Sequence, residues 1–460
     1  ILAVIRIGAV MLVFDPWVSV VGASIVVVIY ASLGGLKGVI WADFFQYSIA
    51  MFGAVLAAIV AIRQPEIGSL SNLISNPVLA DKLSFFPDFS NPSIYIPLLI
   101  IPIAVQWWSV WYPGAEPGGG GYIAQRMLAA KDEKNAIGAT LLLNFAHYAL
   151  RPWPWIIVAL ASLVIYPDLA SIKAEFPNID PEYLKDDIAY PVMLSKLGAG
   201  WLGLVVASLI ASYMSNIDTH LNLCSSYVVN DFYKRFVNPD AEQKELVKMA
   251  RISTVLLMVL SGALALTILD NATQAFNILL LSGAGSGAIY LFRWFWWRIN
   301  AWTEIVAMIV ATLNAFILVL LIDDADVATS ILDGFTVKLL IAVGATTVAW
   351  LLATFLTPPE SKETLRSFYR LTRPGGPGWK KVIAEARSEG DMIDEKDHGR
   401  AWEMPIQIIC VFIGIIVVYA SLFAIGNILY GNTILATAMF ATAAVGTYLL
   451  FKFFSRLRAD

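Results

Sequence analysis

The chain has 460 residues, 58% of them hydrophobic and only 14% charged, with 31 Lys and Arg against 35 Asp and Glu for a formal net charge of -4. Soluble domains carry about 25% charged residues, so this composition excludes an ordinary water-soluble globule, and the slightly acidic balance argues against nucleic acid as a partner. Two cysteines, Cys224 and Cys410, both in apolar stretches, exclude a disulfide framework.

The apolar residues are gathered into runs such as Val18–Ala31, Ile96–Val105, Ile156–Tyr166, Leu202–Met214, Thr254–Leu269 and Ile406–Ile425. A spanning helix takes about 20 such residues, which defines an all-α polytopic membrane protein with the lipid bilayer as its solvent. The first run, 1–14, breaks at Asp15-Pro16. At 1.5 Å per residue it reaches about 21 Å, short of a ~30 Å hydrocarbon core, so the expectation is an N-terminally truncated fragment cut inside a helix. Turn chemistry then separates helices predicted at 17–33, 38–62, 93–112, 136–165, 198–234, 244–269, 271–297, 301–322, 335–356, 403–428 and 432–456, which with the first run make about twelve spans.

Lys and Arg collect in alternate connections, around Lys37, Arg126/Lys131/Lys134, Lys234/Arg235/Lys244/Lys248, Arg293/Arg298, Lys362 to Arg400 and Lys452/Arg456/Arg458. The positive-inside rule puts these connections and the C-terminus in the cytoplasm of a multi-pass plasma (inner) membrane protein. The organisation expected is a core at 1–357, a cytoplasmic loop at 358–402 and two accessory transmembrane helices at 403–460. The loop, rich in Pro, Gly and both charges, reads as a solvated linker. Trp107-Trp108 and Trp294/Trp296/Trp297 read as interfacial anchors.

Chemistry concentrates in the stretch around Ala211–Asp231. On a helix, Ser208, Ser212, Ser215, Thr219, Asn222 and Ser226 recur at three- and four-residue steps and line one face with oxygen donors. Lipid cannot satisfy such a face, so it turns to a cavity or to another helix, as a cation site or as polar packing. Asp218 lies in the same stretch. A carboxylate at the membrane centre is disfavoured by about 2.5–3.5 kcal/mol, and marks a cation site or a proton relay. Asp43, on another helix, is a second carboxylate, serving a site or the positive end of its helix.

The pattern Gly34-Gly35-Leu36-Lys37-Gly38-Val39-Ile40-Trp41-Ala42-Asp43-Phe44-Phe45-Gln46, then Tyr122-Ile123-Ala124-Gln125-Arg126 through Lys131, then Ser215 to Asp231, resembles the sodium:solute symporter family. The resemblance implies the LeuT-type fold of two inverted five-helix repeats, with the first helices of the first repeat absent, and a solute held at half-membrane depth. It also implies Na+ as the coupling ion, bound by Ser212, Ser215 and Asn216 at a principal site. Asn216 departs from the family's Ser or Thr there. Asp43 and Asp218 fall at a second sodium site, and no other cofactor is implied.

In Gln106 to Tyr122, Pro113, Pro117 and Gly118 to Gly121 remove helix hydrogen bonds and unwind the backbone, either lining a cavity or forming a loop at the membrane edge. By resemblance this is the discontinuous sixth core helix, with Tyr112 an aromatic gate beneath the substrate and Trp108 beside it. Glu116 reads as a substrate contact or as a bridge to Arg126. On the next helix His147 is a core or functional histidine. Arg151 is either a cation facing substrate or one snorkelling to the cytoplasmic interface.

The function expected is a sodium-coupled symporter importing a small polar solute, sugar-like or another organic molecule, by alternating access. The alternative is a proton-coupled transporter of an organic carboxylate, and then a channel. An enzyme is not expected, since no metalloprotease helix, phosphate loop or nucleophile elbow occurs.

Overall fold

Pro16, whose fixed φ suits the first helical position, opens a helix α1 that runs without interruption to Ile62 (Pro16–Ile62, 47 residues) in the computed structural model, which describes residues 15–110, 121–179, 184–267, 272–395 and 404–457. The helices predicted at 17–33 and 38–62 are therefore one. Gly34-Gly35 does not break it, because a glycine inside a helix costs only about 1 kcal/mol relative to Ala and no proline is present to remove a hydrogen bond. The apolar parts are Trp17–Ile29 and the candidate span Ile40–Ile62.

The remaining long elements are α2 (Pro92–Ser109), α3 (Gly121–Leu128), α4 (Glu133–Ile165), α5 (Ala199–Val237), α6 (Gln243–Thr267), α7 (Ala272–Ser282), α8 (Gly287–Phe295), α9 (Ala301–Leu320), α10 (Gly334–Leu356), α11 (Lys362–Thr372), α12 (Lys380–Ser388), α13 (Met404–Leu429) and α14 (Thr433–Leu457). Among the described residues nine helices are long and apolar enough to cross a membrane, in place of about twelve predicted spans. Part of the difference comes from helix 271–297, which is divided into α7 and α8. The run at 1–14 lies outside the described residues. No strand occurs among the described residues, only an isolated bridge between Val110 and Ala284.

The chain divides into two units. The first comprises Ile1–Ser84, Leu141–Gln274 and Ser421–Ala438. In it α1 packs along α5, α6 and the second half of α4. Ala57, Ala58 and Ala61 meet Ile157, Val158, Ala161 and Val205 in the main apolar cluster. Small side chains allow this close approach, which matters where lipid offers no hydrophobic drive between helices. At Gly53 the approach is close enough that an added Cβ would lie 2.6 Å from Ser208 Oγ on α5.

The second unit comprises Phe85–Thr140, Ala275–Ala420 and Met439–Asp460. Here α9 packs on α10 through Ala307, Ala311 and Ala315, with Thr303 hydrogen-bonded to Thr354 at 2.8 Å. Between α7 and α8 the chain Ser282-Gly-Ala-Gly-Ser-Gly287 leaves the helix. Gly285 takes φ +84°, its N–H donates to the Ser109 carbonyl at 2.8 Å, and a Cβ there would lie 2.6 Å from Thr346 Cβ. Only glycine meets both conditions.

The segment read as a solvated linker is folded over much of its length. Leu365, Tyr369, Trp379, Val382, Ala386 and Ile393 bury one face each of α11 and α12, and Trp379 Nε1 donates to the Trp294 carbonyl at 2.9 Å. Arg366 joins Glu389 at 2.5 Å and Asp391 at 3.4 Å, and Lys362 meets Glu389 at 2.6 Å. These cations hold the Glu389 carboxyl below its ordinary range. A few apolar positions at helical spacing suffice for this core, which an overall count of charges obscures.

Gly53→Leu would drive a branched side chain into α5. The expected outcome is a loss of about 1–3 kcal/mol in unfolding free energy, measured by denaturation of the purified protein in detergent.

Candidate functional site

Besides the close approach of Ser208 to Gly53, the oxygen stripe of α5 meets α1 through a hydrogen bond between side chains. Ser215 Oγ donates a hydrogen bond to Asp43 Oδ1, joining two residues 172 positions apart in sequence. Both are half-buried. A hydroxyl and a carboxylate converging between two spans form a hard, anionic oxygen set, which is the chemistry an alkali cation takes in exchange for its hydration shell.

Asp218, on α5 one turn past Ser215, is fully buried at 0% exposure. A carboxylate so far from water needs a compensating cation or a proton. Ser212 is half-buried and Asn216 exposed, and Asn216 Nδ2 donates to the Ser212 carbonyl at 2.8 Å. The Asn216 amide nitrogen thus turns back along its own helix.

Tyr47, one turn after Asp43 on α1, was not singled out from the sequence. Its hydroxyl donates to the Ala146 carbonyl at 3.1 Å. Ala146 belongs to a π-helical turn, Phe145–Leu150, within α4, and its carbonyl also accepts from Arg151 N at 3.0 Å. Such insertions re-aim side chains at functional sites. Arg151 Nη1 lies 3.2 Å from His147 Nδ1, and its guanidinium stands 5.3 Å from the centroid of the Trp155 ring. Trp155 stacks in turn on Tyr190 of the short helix Ala189–Leu194, 5.6 Å between centroids. Trp155, four residues after Arg151, was the available signal, but the stacking of Tyr190 on it is a tertiary fact.

The other predicted substrate contacts fare differently. Trp108 donates Nε1 to the Ala104 carbonyl at 2.6 Å and packs against the cluster of Ala288, Ile289 and Trp350 in the second unit. Tyr112 and Glu116 lie outside the described residues. The unwound end of α2 at Val110 is bridged to Ala284 beside the α7–α8 break. That break was legible as Ser282-Gly-Ala-Gly-Ser-Gly287, yet hydropathy carried the helix straight across it.

Nine candidate spans among the described residues, interrupted helices and ionisable residues facing other helices define a multi-pass helical membrane protein. A family model described as "SSF: Sodium:solute symporter family" matches residues 10–311. The chain belongs to the sodium:solute symporter family. It is 25% identical over 305 residues to the sodium/glucose cotransporter of Vibrio parahaemolyticus, covering 63% of this chain and 55% of that protein. To the sodium/sialic acid symporter SiaT of Proteus mirabilis it is 26% identical over 307 residues, 65% of this chain and 58% of that one. To the sodium/proline symporter of Haemophilus influenzae it is 26% identical over 297 residues, 62% and 54% of the two chains. The chain therefore spans somewhat more than half the length of these relatives. In fold it is similar to a solved structure of a Na+-coupled sialic acid symporter in a substrate-bound outward-open state, with TM-score 0.53 at 19% identity, covering 78% of this chain and 71% of that one.

Tyr47→Phe removes one hydrogen bond between α1 and the π-helical turn without changing shape. The expected result is a loss of about 0.5–1.5 kcal/mol in stability, measured by unfolding of the purified variant beside the native protein.

Proposed function

We propose that the protein is a sodium-coupled secondary active symporter that carries a small polar organic solute by alternating access. The observation that carries this reading is the Asp43–Ser215 pair, a carboxylate and a hydroxyl that link α1 to α5 inside the membrane. Na+ is the coupling substrate, held by Asp43 and Ser215, with the buried Asp218 close by on α5 and Ser212 one turn earlier. The curated relatives, each described as a sodium-coupled carrier of a small solute, support the same assignment.

The cation acts by differential affinity. Sodium drives solute inward only if it binds the outward-facing state more tightly than the inward-facing one, because equal affinity shifts nothing. A site shared by two helices has that property when the helices separate between states, since its oxygen set exists in one and is broken in the other. In this reading the basic connections and the C-terminus lie in the cytoplasm of the plasma (inner) membrane. The second reading is proton coupling through Asp218, favoured by its complete burial.

The experiment is uptake of a labelled solute panel into proteoliposomes with a sodium gradient, with a pH gradient, and with neither. Sodium-driven accumulation is the expected outcome, with Asp218→Asn lowering the number of sodium ions carried per solute. Accumulation driven by the pH gradient alone, and lost in Asp218→Asn, would replace sodium by the proton.

A further inference from the structure

Arg151 is placed where an arginine serves no structural purpose that its neighbours reveal. Tyr47 meets Ala146 across an offset of 99 residues, and farther along the same helices Ala57, Ala58 and Ala61 share a cluster with Ile157, Val158 and Ala161. So α1 and α4 run side by side in the same direction. Arg151, five residues beyond Ala146, stands about level with residue 52 on α1, which is five residues beyond Tyr47. The span Ile40–Ile62 has its middle at residue 51. Arg151 is therefore level with the middle of this apolar span, about 18 Å along α1 from Ile40 at 1.5 Å per residue. Snorkelling relieves a cation near a helix end, and does not reach from here.

A cation at this depth requires an anion or a cavity. A buried cation in another apolar helix has its anion: Lys338 of α10 meets Asp324 at 2.6 Å and the Ile322 carbonyl at 2.5 Å, whereas Arg151 is half-buried. Among the described residues no carboxylate pairs with Arg151. Its contacts are His147 Nδ1 and the face of Trp155. Arginine only donates, so His147 presents an acceptor nitrogen there and adds no second positive charge through it. Trp155, itself stacked on Tyr190, forms a rigid aromatic wall against the guanidinium plane. The fork is thus oriented from two sides by neutral groups, with donors left over. A planar fork held in this way matches the two oxygens of a carboxylate.

We propose that Arg151, oriented by His147 and Trp155, binds the carboxylate of the transported solute, so that the substrate is an organic carboxylate and not a neutral sugar. This inference rests on the symporter reading above. In sequence the same arginine was open to a snorkelling role. The register set by Tyr47, together with the lack of a carboxylate on Arg151 among the described residues, favours the substrate role.

The test uses the protein in proteoliposomes with labelled solutes in matched pairs: propionate and propionamide, benzoate and benzamide, and N-acetylneuraminate beside glucose and myo-inositol. Uptake is expected for carboxylates and not for their neutral partners. Arg151→Lys, which keeps the charge but loses the fork, should raise KM for the accepted carboxylate about tenfold or more with kcat little changed, and Arg151→Gln should abolish uptake. Sodium-driven uptake of glucose or myo-inositol, unaffected by carboxylates or by Arg151→Gln, would overturn the inference while leaving sodium coupling intact. Carboxylate uptake that needs Arg151 but ignores sodium would uphold the inference and remove the sodium reading instead. If Arg151→Gln fails to fold, the matched pairs on the native protein still decide.

Discussion

Everything distinctive about this molecule follows from placing carboxylates where water is scarce. Asp43 and Asp218 sit on helices otherwise fit for lipid, and each is tolerable only because it faces protein. The hydrogen bond from Ser215 to Asp43 fixes how α1 and α5 meet at that depth. Gly53 and Ser208 then set how closely the same two helices approach farther along. A polar contact and a tight apolar contact on one helix pair leave little freedom of register.

That pair is connected to the next helix by a short route. Tyr47 is on the Asp43 face of α1, one turn on, and its hydroxyl holds the carbonyl around which α4 widens into a π-helical turn. The turn carries His147 at its middle, with Arg151 directly after it. In the proposed mechanism a change at the cation pair and a change at the arginine are therefore adjacent events on a shared helix surface. Coupling over such a distance requires only that both helices have two arrangements, which is the premise of alternating access.

The spans, the oxygen stripe and the isolated carboxylates were legible because period, hydropathy and the scarcity of charge are local properties of the sequence. Asp43 and Ser215 were each visible, but their contact joins residues 172 positions apart and is written in no local pattern. The same holds for Tyr47 with Ala146 and for the aromatic wall at Arg151. Errors of the opposite kind came from trusting local signals too far. Gly34-Gly35 was read as a break, yet helix propensity alone does not end a helix. Ser282 to Gly287 was read as helix, yet its glycines and the pairing of Gly285 with Ser109 end one. Between α10 and α13, charge content hid the apolar positions that fold α11 on α12. Asn216 was visible as a departure from the motif, but that its amide Nδ2 donates to the Ser212 carbonyl is a fact of the folded helix.

The central claim is that the Asp43–Ser215 pair is where sodium binds, and equilibrium binding of radiolabelled sodium to the purified protein tests it most directly. The account predicts saturable binding that Asp43→Asn weakens about tenfold or more, as expected when an ionised ligand is replaced by a neutral one, and that Asn216→Ala leaves nearly intact. Sodium binding of native affinity and stoichiometry in Asp43→Asn would contradict it.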